Sequence, residues 1–147
     1  MTREALLRRI APCGLDCGRC LDNPESPIGR HARALRRELA GFGRRAAFFA
    51  DLDPAFGVYA DFERLLERLG SGGCRGCRHG QCLFADCRVK DCITHRNVDF
   101  CFECQEFATC DPGLPPALAE RWRNANRRMQ EKGLASYAEF LAAQPRY

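Results

Sequence analysis

Eleven cysteines in a chain of 147 residues constrain it more than any other feature, because they fall in two blocks with a long cysteine-free stretch between them. Cys13, Cys17 and Cys20 form the first block, with spacing C-x3-C-x2-C. The second holds Cys74, Cys77, Cys82, Cys87, Cys92, Cys101, Cys104 and Cys110; it opens on one C-x2-C pair and nears its end on another. Two thiols three positions apart converge from a single tight turn, so the inventory reads as metal ligands, and all eleven are expected to bind metal.

Disulfides are the competing use of so many thiols. Residues 1–12, MTREALLRRIAP, carry four charges and no apolar stretch of signal-peptide length. No segment approaches the roughly 20 apolar residues of a membrane span. The expectation is a cytoplasmic chain without a membrane partner, whose thiols stay reduced or bind metal. The formal charge of +4, with arginine supplying most of the 23 basic residues, invites a nucleic-acid partner. Metal binding would cancel that excess. Three zinc ions held by all eleven thiolates bring six positive against eleven negative charges, taking +4 to about −1.

The length suits one domain, spanning residues 1–147. Apolar or small residues recur at Ile28, Ala32, Leu35, Leu39, Phe42, Ala46 and Phe49, which predicts a helix over 28–50, bent or broken at Gly41 and Gly43. A second helix over 54–69 has Asp53 as N-cap and Pro54 at its first position; it is expected to bury Val58, Tyr59, Phe62, Leu65, Leu66 and Leu69. A third over 116–132 carries Leu118, Trp122, Ala125 and Met129 on one face and ends at Gly133. A fourth over 137–143 follows a capping-box pattern of Ser136 and Glu139. Residues 1–10 suggest one more short helix, and Val98, Phe100 and Phe102 a brief strand. The fold class expected is mainly α, with little strand and a loop-rich, metal-organised cysteine centre containing zinc-ribbon or knuckle-like elements.

Zinc prefers four ligands in a tetrahedron, and a site closed by four protein ligands is structural. Eleven cysteines with His31, His79 and His95 suffice for two to three zinc ions. Pairing Cys74 and Cys77 with Cys101 and Cys104 gives a ribbon-like arrangement, with interleaved sites through Cys82, Cys87 and Cys92 as the alternative. His79 and His95 read first as loop histidines and second as ligands; His31 reads as a surface residue. The first block needs a fourth ligand from the second, with Cys110 the first choice and Cys92 or Cys82 the alternatives. C-x3-C-x2-C is also a spacing that holds a four-iron four-sulfur cluster, so an iron–sulfur redox protein is the alternative reading. A metalloenzyme with an open site at the first block is a further one. Phosphate-binding loops and nucleophile motifs are absent from the sequence, and Asp16, Asp86, Asp91, Asp99, Glu103 and Glu106 read as loop charges. Arg30, Arg33, Arg37 and Arg44 share one helix face that suits phosphate contacts or plain solvation, so a nucleic-acid partner is weakly supported beside a protein partner.

The run Ala11-Pro12-Cys13-Gly14-Leu15-Asp16-Cys17-Gly18-Arg19-Cys20 resembles the opening of the cysteine-rich bacterial and archaeal family known as domain of unknown function 3795. Cys74-x2-Cys77, Cys87-x4-Cys92, and Cys101-Phe102-Glu103-Cys104-Gln105-Glu106-Phe107 with Cys110 behind are similar to its later motifs, and residues 126–133 to its C-terminal helix. Cys82 departs from the family pattern. The resemblance implies a metal-binding protein, with zinc as the metal, and supplies no catalytic residue. The expected function is therefore a zinc-binding module with a binding or regulatory role rather than an enzyme.

Overall fold

Two of the helices and one 3-10 turn begin where a short polar side chain accepts from a free N–H of the first turn. The computed structural model describes residues 1–79, 82–84 and 86–147. Thr2 accepts from the Ala5 N–H at 3.3 Å and starts α1 (Arg3–Arg9). Ser26, with Pro27 behind it, accepts from Gly29 at 3.1 Å and starts α2 (Pro27–Glu38). Asp53 accepts from Ala55 at 2.9 Å and starts a 3-10 turn, Pro54–Val58, that leads into α4 (Tyr59–Gly70). Between them lies α3 (Ala46–Leu52), followed later by α5 (Val89–Arg96), α6 (Pro116–Lys132) and α7 (Leu134–Ala142). Among the described residues the β pairing is a single antiparallel bridge, Ile10 to Asp16. The chain is mainly helical, as its periodicity predicts.

Residues 21–73 form one unit and residues 1–20 with 74–147 the other. In the first, α2 packs on α4, and the ring of Phe42 lies 5.1 Å from Phe49, 5.9 Å from Phe56 and 4.7 Å from Tyr59. Asp22 is buried and paired with Arg68 at 2.5 Å. Arg33 donates to the carbonyls of Pro24 (2.7 Å) and Gly70 (3.2 Å), joining the start of this unit to the end of α4. Its guanidinium is thus engaged in backbone ties.

In the second unit α1, α6 and α7 close around Leu6, Ile10, Phe100, Ala125, Met129, Tyr137 and Ala138. Asn126, fully buried on α6, accepts from the Phe102 N–H at 3.0 Å and donates to the Trp122 carbonyl at 3.0 Å. That side chain fastens the Cys101–Glu103 turn to α6, since a buried amide must satisfy both its ends.

Several expectations are corrected. The helix over 28–50 is two helices, because Gly41 at φ 83° turns the chain into a 3-10 turn, Phe42–Arg44. α4 buries Tyr59 and Leu66 but leaves Phe62 and Leu65 exposed, since α2 covers only part of its apolar face, and Val58 in the 3-10 turn before it is exposed too. Val98, Phe100 and Phe102 do not form a strand: Glu103 accepts from the Asp99 and Phe100 N–H groups (2.9 and 3.1 Å) and holds the segment in a turn. α7 starts at Leu134 behind Gly133, so Ser136 lies inside it and caps nothing. Leu118 is exposed while Trp122, Ala125 and Met129 are buried. α5, which carries Cys92, is unanticipated; its brief apolar content, Val89 and Ile93, gives little periodic signal.

Candidate metal centre

The first cysteine block hangs on a loop held at both ends. Ala11 donates to Leu15 and Gly14 to Ala11, both at 2.8 Å, closing a tight turn with Gly14 at φ 85°. A Cβ on Gly14 would lie 2.4 Å from the Ala125 Cβ, so the loop backbone sits directly against α6. Tyr137 donates its hydroxyl to the Gly14 carbonyl at 2.7 Å. The buried carboxylate of Asp16 is gripped by Arg9 through three contacts of 2.8–3.2 Å. Beyond it Cys17 opens a 3-10 turn, Cys17–Arg19, capped by Cys20.

Arg78 brings the start of the second block to this loop. Its guanidinium donates to the carbonyls of Leu7 and Ile10 at 2.7 Å and to that of Asp99, and it lies 4.8 Å over the Phe100 ring. The neighbouring Cys77 thiol is raised above its ordinary pKa by its contact with Cys17 and by burial, while Cys82 and Arg78 pull it down. Burial raises the Cys74 and Cys82 thiols as well, and Cys20 and Cys77 are close enough to add to both shifts. Cys13 is pushed up to about 12 by burial, with Cys77, Cys87 and Cys101 contributing. Cys13, Cys77, Cys82 and Cys87, with Phe84 and Trp122, line an apolar cavity of about 110 Å³.

Cys92, Cys104 and Cys110 gather near Cys101. Burial lifts Cys101 to about 11 and raises Cys110, and Cys92 and Cys104 add to both shifts. Cys92, Cys101 and Cys110 line a cavity of about 200 Å³ with Arg88 and Trp122. Trp122 is buried and its indole nitrogen has no hydrogen-bond partner of normal geometry; it faces the Cys101 sulfur and lowers that thiol's pKa.

All eleven cysteines lie among the described residues and none forms a disulfide. Cys74 and Cys77 interact with Cys82, Cys77 also with Cys17 and Cys74 also with Cys20, and Cys101 interacts with Cys92, Cys104 and Cys110. His79 lines a small cavity with Cys17 and Cys77, while His95 and His31 are exposed. Among the described residues no three histidine, cysteine or carboxylate side chains stand in a metal-gripping arrangement. The donor set nevertheless suits a soft ion. Backbone N–H groups of Leu15, Gly76 and Phe84 point at the sulfurs of Cys13, Cys74 and Cys82, the second at 3.4 Å, and each favours the thiolate over the thiol. Sequence reasoning missed Arg78, Asn126 and Trp122; the only available signal was that Trp122 is the single tryptophan.

Residues 9–113, a span that takes in every cysteine, match the family model described as protein of unknown function (DUF3795). The chain belongs to this family. No curated protein and no solved structure matches it significantly.

Proposed function

We propose that this DUF3795 protein is a zinc-binding module whose cysteines hold structural metal sites, with two to three ions per chain. The reading is carried by the gathering of thiols from distant parts of the chain: Cys13, Cys77, Cys82 and Cys87 line one cavity, and Cys92, Cys101 and Cys110 line another. Four thiolates closing on zinc at about 2.3 Å would displace the thiol protons and supply folding free energy to loops that have few apolar residues. A binding or regulatory role with a protein partner is supported by the exposed Phe48, Leu52, Val58 and Leu65 of residues 21–73.

Elemental analysis of untagged native protein tests this. Two to three zinc per chain with protected thiols is the expected result, and metal-free protein with every thiol open to a titrant would overturn it. An iron–sulfur centre is the second reading, favoured by the cavity of about 200 Å³ beside Cys92, Cys101 and Cys110, more space than a single ion leaves among its ligands. Iron with acid-labile sulfide and visible absorption in anaerobically purified protein would select it.

A further inference from the structure

Three consecutive elements, the 3-10 turn Phe42–Arg44, α3 and the 3-10 turn Pro54–Val58, bury none of their residues. Six of the seven residues of α3 are apolar. A helix this short holds together only when another surface covers its apolar face. Ala46, Phe49 and Ala50 are half-buried, with Phe49 against the rings of Phe42 and Phe56, while Phe48 (63% exposed) and Leu52 (68%) face outward. Ring contacts run without a break from Phe48 through Phe49, Phe42 and Tyr59 to Phe62, and only Tyr59 among them is buried. The exposed parts of Phe48, Leu52, Phe56, Val58, Phe62 and Leu65 amount to on the order of 600 Å² of apolar surface. That is the upper end of what a soluble monomer leaves open, and most of the roughly 800 Å² that each partner of a stable interface covers.

Charge decides what covers this face. Arg45 and Asp51 stand three positions to either side of Phe48, which puts all three on one face of α3 together with Leu52. Both charged side chains are exposed, and neither has an ion-pair partner among the described residues. A base at the start of a helix and an acid at its end are each the reverse of what the helix dipole favours, so this arrangement does nothing for the single chain. It is, however, self-complementary. A second α3 laid antiparallel, about a two-fold axis through Phe48, sets each Arg45 beside the partner's Asp51, whereas a parallel copy would oppose like charges. We propose that this face is a homodimer interface in which α3 packs antiparallel on its own copy across Phe48. The inference rests on the reading of the exposed surface of residues 21–73 as a partner site, and it names the partner. The apolar side chains form the centre of the interface and the two Arg45–Asp51 pairs its rim.

Sedimentation equilibrium of the full-length protein should give twice the chain mass and a dimer dissociation constant. Arg45→Asp and Asp51→Arg each suit the dipole of α3 better than the residue replaced, so both variants should keep their helical content in circular dichroism. Each nevertheless opposes like charges twice across the two-fold axis and should weaken dimerisation by about tenfold or more. Mixed together, the two variants should pair as a heterodimer of restored affinity, because every Arg45–Asp51 position then joins opposite charges. A protein that stays monomeric at all concentrations, or a dimer indifferent to both changes, would overturn the proposal. A photo-crosslinking phenylalanine analogue in place of Phe48 separates that failure from failure of the partner reading. In cells, a link from position 48 to a different protein, or to residues 1–20 or 74–147 of the same chain, overturns the homodimer and identifies what covers the face instead; no link at all overturns the partner reading as well.

Discussion

The hydroxyl of Tyr137 donates to the carbonyl of Gly14 at 2.7 Å, joining α7 to the first cysteine loop across 123 positions of sequence. Both groups are buried, so the bond has no competition from water, and its loss leaves a carbonyl unsatisfied.

Tyr137→Phe removes the donor and keeps the ring. It should lower stability by about 1–3 kcal/mol. Denaturant unfolding of the metal-loaded protein, comparing midpoints at constant slope, measures this; an unchanged midpoint would mean that the bond holds nothing in place.

Gly14→Ala forces a Cβ into 2.4 Å contact with Ala125 at a backbone φ of 85°. Overpacking and left-handed strain together should cost about 2–4 kcal/mol. Pairing it with Ala125→Gly removes the collision but leaves the strain. The double variant should therefore be less destabilised than the sum of the two single changes, and strict additivity in thermal melts would argue against the contact.

Trp122→Phe retains an aromatic wall and deletes the N–H that faces Cys101. Outer contacts of this kind are worth about tenfold to a hundredfold in metal affinity. Competitive zinc titration should show one of the sites weakened by about tenfold, with the others unchanged. Equal affinity at every site would count against the assignment of this group.

Chelation should disorder residues 74–110 while sparing α4, because a structural site supplies about 10 kcal/mol before ordering costs and the loops have little else. Hydrogen exchange read by mass spectrometry separates the two regions. Protection unchanged over 74–110 after verified metal removal would show that these loops do not depend on metal.

Much of the helical scaffold was legible because its signals are local. Ser26-Pro27 and Asp53-Pro54 start their elements, and Gly133 ends α6, by capping and backbone conformation that act within a turn. The errors came where a second segment decides the outcome. Leu65 has the right period for burial but is exposed, and Phe100 and Phe102 alternate like a strand but, among the described residues, have no strand to pair with.

The candidate site divides along the same line. Sequence alone determined the ligand inventory and the short spacings, because a C-x2-C turn converges by its own geometry over a few bonds. Which turns meet was decided only by tertiary structure. Cys20 and Cys74 stand 54 positions apart, and they share a neighbourhood because Arg78 binds three carbonyls, two at the end of α1 and one at Asp99, and the Gly14 turn fits against Ala125. Cys101 joins Cys92 and Cys110 where Asn126 pins its turn to α6 beside Trp122. Those contacts depend on side chains reaching across the fold, and no spacing within either block encodes them.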